Sequence, residues 1–377
     1  MSDRLQRLRK RTNGYTVTPR QYAYTAYVAL GALTLIVLSG AAVRLTGSGL
    51  GCPDWPRCYG HAYPPLNTHA VIEFSNRMIT APVSIAAGAA WLFALRRRPY
   101  RRDLMWLGAL LPLGVVGQAV LGGFTVRGAL DYGWVMSHFA LSMLILLAAA
   151  VLAWRAGDSS ALREATADGS ERGGQPVGSA ALGGVADASN GADAPAMSTG
   201  AGSVGTAAPD RTLILALRGL VAWGALTIFA GTAATAAGPH AGGSPGQKIN
   251  RLSFDGRGTM DFVIHRHGEI ALVFGLAAVA IWWIARRRHA GPVVQRSLTV
   301  LCILLALQGA VGLDQYETHL PTELVWVHVA LACGAWLAAI WAACAAGTLA
   351  PPRARAGSEA PASVSVRAPE PVEFPGN

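Results

Sequence analysis

Three histidines and one asparagine fall at spacings that could do chemistry. His265-Arg266-His267-Gly268-Glu269 opens an apolar run reaching about Ile284, and Val325-Trp326-Val327-His328 opens the last such run. Ionisable groups are costly inside a membrane span, where they usually face the bundle interior and mark a function. The plainer alternative is a ring of polar anchors at the membrane surface. Spacing argues for function. Asn76-Arg77 precedes His138 by 62 residues, and His265-Arg266 precedes His328 by 63. Gln118 precedes His138 by 20, and Gln308 precedes His328 by 20. A duplicated four-helix unit explains both. Imidazoles at matched depth on facing helices can hold one iron from opposite sides, an arrangement suited to heme. His265 and His267 cannot both face inward, because two helical residues turn the direction by about 200°. His265 is the preferred ligand, since Arg266 then matches Arg77; His267 would pack on a neighbour or face the interface. Glu269, four residues beyond His265, can share its face.

Glu73, Asn76 and Arg77 share a helix face. A carboxylate there can accept a proton from a substrate, or it can simply be neutralised by Arg77. The arginines after positions 76 and 265 can pair with heme propionates. Cys52 and Cys58 bracket a proline-stiffened loop on the expected outer side, where thiols oxidise, so a disulfide is preferred over a metal pair. Cys302, Cys333 and Cys344 fall within spans and are expected to serve as small hydrophobes.

These residues must be positioned by membrane helices. Of 377 residues, 52% are hydrophobic and 14% charged. The apolar residues form eight blocks, near 22–45, 70–95, 104–126, 132–154, 212–236, 261–285, 295–314 and 322–347. Each is near the ~20 residues that span a bilayer. Backbone groups in lipid must be satisfied internally, so the blocks are helices rather than strands of a barrel. The expected fold is an all-α membrane protein of eight transmembrane helices, arranged as two repeated four-helix bundles. Its parts are a basic tail (1–20), an N-terminal half (21–154), a linker rich in Ala, Gly, Ser and Asp (155–210), a C-terminal half (211–348) and a tail (349–377). Linker and C-terminal tail are expected to be disordered. The net charge of +10 concentrates before the first helix, at Arg96–Arg98 with Arg101 and Arg102, and at Arg286–Arg288. That pattern argues for membrane topology and against a nucleic-acid partner. The positive-inside rule puts both termini in the cytoplasm of a cell-membrane protein, with possible attraction to anionic lipid.

The chain resembles the heme A synthase family. The resemblance rests on Arg44-Leu-Thr-Gly-Ser-Gly-Leu-Gly-Cys-Pro-Asp-Trp-Pro-Arg-Cys58, Ile72-Glu-Phe-Ser-Asn-Arg77, Gly238-Pro-His-Ala-Gly242, His265-Arg266, and the histidines His138 and His328. It implies an oxidoreductase that hydroxylates the C8 methyl of heme O and carries it on to a formyl group, giving heme A for cytochrome oxidase. It implies a heme b cofactor on His265 and His328, with Arg266 beside it. It implies a substrate heme on His138 near Asn76 and Arg77, Glu73 as the catalytic carboxylate, and Cys52 and Cys58 as the outer-loop pair. Heme O synthase and cytochrome oxidase assembly proteins are the implied partners. The family has histidine where this chain has Asn76, so the first half is expected to lack a two-histidine site. Either the open face serves oxidation, or the chain is a heme chaperone. A membrane cytochrome b is the other alternative, but it would want a second two-histidine heme.

Overall fold

The computed structural model describes residues 14–157, 210–244, 246–254 and 258–347. Among them are eight α-helices and no extended strand: α1 Pro19–Leu45, α2 Thr68–Arg96, α3 Arg102–Arg127, α4 Tyr132–Gly157, α5 Arg211–Ala237, α6 Thr259–Arg287, α7 Pro292–Glu317 and α8 Thr322–Ala345. All eight are long and apolar enough to cross a membrane, and the chain is a multi-pass membrane protein. The helices overrun their apolar blocks, as α7 does around 295–314, because the backbone stays helical through the polar interface. Most of the expected linker and both tails lie outside the described residues; α4 continues to Gly157, into the range expected for the linker.

Local chemistry sets several helix starts. Thr18 and Gln21 form a reciprocal capping box at α1. Asn67 accepts Ala70 N at 2.8 Å to begin α2. Asp210 accepts Thr212 N and Leu213 N to begin α5. Pro82 and Pro112 sit inside α2 and α3, which membrane helices tolerate when neighbours satisfy the freed groups.

Within the first half, α1 packs on α2, α2 on α3, α3 on α4, and α4 on α1. The ring leaves α2 and α4 diagonal to one another. Helices α5 to α8 repeat it, with α6 and α8 diagonal. The halves meet through α8 on α4, α8 on α1 and α4 on α5. Alanines fill the crossings, among them Ala26, Ala87, Ala90 and Ala150 in the first half and Ala278 and Ala339 in the second. Small residues let membrane helices approach closely. Across the boundary, Trp336 Nε1 donates to Met143 O at 3.2 Å and Trp326 Nε1 to Leu38 O at 3.1 Å. At the end of the bundle where α1 and α5 finish, Gly49 N donates to Gly242 O at 2.9 Å, Ser244 Oγ to Gly47 O at 2.8 Å, and Arg44 Nε to His240 O at 3.1 Å.

The helix ends give the repeat its register. Helices α1 and α5 both have 27 residues, α2 and α6 both 29, and α3 and α7 both 26. Pro19 and Arg211 stand 192 residues apart, Thr68 and Thr259 191, Arg102 and Pro292 190, and Tyr132 and Thr322 190. The offset changes by one where a connection is one residue longer.

Candidate functional site

In the second half the histidine opposite His328 is His267. Their ring centroids lie 6.2 Å apart at an interplanar angle of 72°. His265, the expected ligand, is exposed on another side of α6. Its Nδ1 donates to the Asp261 carbonyl at 2.7 Å, and its ring meets Tyr316 edge-on at 6.2 Å. The structure therefore sets His267, and not His265, across from His328. The cause is register: α6 begins 191 residues after α2, so the counterpart of Asn76 is His267. The sequence spacing was ambiguous, since His267 precedes His328 by 61 and His265 by 63, each one away from 62.

The geometry of this pair fits one iron between two imidazoles. A metal-bound imidazole nitrogen lies about 2.0 Å from the metal. It lies about 1.1 Å from its own ring centre, so two rings on opposite sides of a metal have centroids about 6.2 Å apart. Nδ1 of His267 and Nδ1 of His328 are buried without a hydrogen-bond partner, as are Gln308 Oε1 and Gln315 Oε1. Each such group costs about 1–3 kcal/mol if nothing satisfies it. Glycines face both rings. A Cβ on Gly231 would stand 3.0 Å from His267 Cε1, and one on Gly312 would stand 3.2 Å from His328 Cε1.

The first half repeats part of this. His138 Nδ1 and Gln118 Oε1 are buried without partners. Gln118 Nε2 donates to His138 O and to Ser142 Oγ, both at 2.9 Å. Gly122, counterpart of Gly312, faces His138 Cε1. Across the ring on α2 stands Asn76, which cannot supply an imidazole. Its Oδ1 accepts from Ser39 Oγ at 2.7 Å. Among the described residues, no three His, Cys, Asp or Glu side chains gather as a metal cluster, so any iron here rests on single histidines or pairs.

Glu73 and Arg77 form the ion pair that their spacing allows. Glu73 is buried, and its Oε2 accepts Cys52 N at 2.7 Å. Arg77 donates to the carbonyls of Asp54 at 3.0 Å, Arg57 at 2.9 Å and Cys52 at 3.3 Å. Together they clamp the α1–α2 loop, which the Cys52–Cys58 disulfide closes. His69 Nδ1 and Ser48 Oγ lie 3.0 Å apart beneath it. In the second half Arg266 is exposed and pairs with Glu269 at 2.6 Å over the Phe262 ring. Neither arginine is left idle by the protein.

A family model described as COX15-CtaA, cytochrome oxidase assembly protein, matches residues 23–71 and 67–340. The chain belongs to the COX15-CtaA family. A heme A synthase of Lysinibacillus sphaericus is 32% identical over 135 residues, 35% of this chain and 44% of the relative. A heme A synthase of Shewanella oneidensis is 31% identical over 149 residues, 34% of this chain and 44% of the relative. A protoheme IX farnesyltransferase of Thermus thermophilus is 31% identical over 143 residues, 34% of this chain and 23% of the relative. Each alignment spans less than half of the relative's length. Within this COX15-CtaA chain, Ser39, Gly231 and Gly312 touch the candidate ligands or their counterpart without any sequence signal of their own. Only pairing the helices end to end singles them out.

Proposed function

We propose that this chain is a heme A synthase, oxidising the C8 methyl of heme O to a formyl group, the oxygen coming from water and the electrons and protons leaving to an acceptor outside the chain. A resident heme b is held by His267 and His328, and the substrate heme by His138 alone. The observation that carries the proposal is the His267–His328 pair, spaced for one iron with buried unpartnered nitrogens. Family membership and the names of the relatives support the heme chemistry, and the farnesyltransferase relative fits a farnesylated heme as substrate.

When bound, the resident heme supplies one-electron redox chemistry. The protein's own groups do the rest. His138 orients the substrate from α4. Asn76 leaves the opposite face without a second imidazole. Glu73 lies one turn from Asn76 and is the carboxylate positioned to accept a proton; its bonds to Cys52 N and Arg77 couple that role to closure of the outer loop. The clamped loop covers the outer end of the first half and limits water entry. Cytoplasmic termini are part of this reading; the basic connections at Arg96–Arg102 and Arg286–Arg288, each following an even-numbered helix, support it through the positive-inside rule.

The test is expression in a host that makes heme O but not heme A, followed by extraction of the hemes. A formyl-bearing heme is expected. Heme-loaded protein without that product would overturn the synthase assignment and favour a cytochrome b or a heme chaperone.

A further inference from the structure

We infer that Ser39 and Gly231, counterparts on α1 and α5, decide which half holds heme with two histidines and which with one. The inference rests on the heme assignment above. The offset of 192 residues between α1 and α5 pairs Ser39 with Gly231, and the offset of 191 between α2 and α6 pairs Asn76 with His267. Ser39 bonds to Asn76, and Gly231 lies beside His267, where an added Cβ would stand 3.0 Å from the ring.

In the second half the α5 position carries no side chain. A Cβ there would meet three atoms of the His267 ring, Cε1 at 3.0 Å, Nε2 at 3.4 Å and Nδ1 at 3.5 Å. The imidazole occupies the room that glycine leaves, and it packs against the α5 backbone. In the first half the α1 position carries both a Cβ and a hydroxyl. Ser39 Oγ donates to Asn76 Oδ1 at 2.7 Å; the same oxygen lies 3.2 Å from the Ile36 carbonyl, the longer of its two contacts. Ser39 thus puts a Cβ and a hydroxyl where the second half has neither, and the hydroxyl engages the oxygen of Asn76. One lone pair of the amide oxygen is taken by Ser39, and the NH2 donates hydrogen bonds rather than binding iron.

The two pairs are complementary exchanges of volume, large against none and small against small. The consequence is chemical. Glycine with histidine closes the second-half site on both sides, which suits a cofactor that stays. Serine with asparagine leaves the first-half site one imidazole short, which suits a substrate that must enter and leave. Ser39 is a positioning residue, acting through Asn76, and Gly231 acts through His267.

The experiment measures low-spin heme per chain, by optical and electron-paramagnetic spectra of the full-length protein purified after heme supplementation. The unaltered protein is expected to show one low-spin heme. Asn76→His alone should leave that number unchanged, because Ser39 keeps its Cβ and hydroxyl beside position 76. Asn76→His with Ser39→Gly should raise it about twofold. Gly231→Ser should lower heme retention in the second half about tenfold, the scale expected of overpacking a tight contact. His267→Asn with Gly231→Ser should restore thermal stability without restoring the low-spin signal. Asn76→His alone matching the double variant would overturn the inference. So would a double variant with no added low-spin heme while the second-half signal is intact, or Gly231→Ser with full retention. Absence of low-spin heme from the unaltered protein would overturn the heme assignment itself, and this inference with it.

Discussion

At the scale of single residues, an imidazole inside a membrane protein must give its nitrogens to something. The ring of His265 gives one to a carbonyl in its own helix, while those of His267 and His328 each keep an unpartnered nitrogen and face each other. His267→Ala and His328→Ala should therefore each remove the low-spin signal or convert it to high spin, and His265→Ala should leave it intact. The absorption spectrum of the purified variants checks this. A second prediction concerns Asp54 on the outer loop, whose carboxylate accepts Tyr59 N at 2.6 Å and Gly60 N at 2.7 Å. These bonds, Gly60's first, hold its carboxyl below the ordinary 3.8. A carboxyl depressed in the folded state stabilises it above the unfolded value, and the contribution fades as pH falls through the folded one. The loop should loosen only below pH 3.8, and Asp54→Asn should remove that acid step. The rate at which a membrane-impermeant phosphine reduces the Cys52–Cys58 bond, followed against pH, reports it.

At the scale of elements, the outer loop is fastened where its backbone crosses the start of α2. A Cβ on Gly51 would stand 2.3 Å from His69 O, 2.4 Å from His69 C and 2.7 Å from Ala70 N. All three are backbone atoms and cannot rotate away. Gly51→Ala should cost about 1–3 kcal/mol, seen as a lower midpoint of thermal unfolding in detergent. It should also weaken the Cys52 N–Glu73 bond and so lower heme A formation. The helices themselves were legible from the sequence, because apolar blocks of spanning length admit no other structure in lipid. So were the disulfide and the Glu73–Arg77 pair, which depend on short separations. That His267 rather than His265 faces His328 was not. It depends on how α6 is rotated against α8, and one residue of difference between two connections is enough to turn the helix face. Ser39 and Gly231 were harder still. A serine or a glycine in a membrane helix is ordinary, and only the contact across α1–α2 and α5–α6 gives either a role.

At the scale of the whole molecule, the two halves are joined by more than the polypeptide between them. Indole bonds from α8 reach Leu38 and Met143, and the outer loops are tied through Gly49, Ser244 and Arg44. Two chains divided between α4 and α5, within residues 158–209, should therefore assemble when made together. Co-purification of the untagged half with a tagged one, still carrying the low-spin signal, is the expected result. Recovery of the tagged half alone would show that the covalent connection is required.

The pattern of contacts between the halves carries a consequence about ancestry. Helix α8 touches α1 as α4 touches α5, the arrangement of two like objects related by a two-fold axis, whose shared surface is complementary to itself. A lone four-helix unit with this surface would pair with its own copy, and a fused gene inherits that dimer as a single chain. Fusion frees each copy to specialise, but it also demands that they never trade places. Trp326 and Trp336 meet that demand. Their counterparts on α4 are Met136 and Leu146, whose side chains have no N–H to donate, so these two indole bonds run in one direction only. The contacts are those of a symmetric pair whose two members can no longer change places.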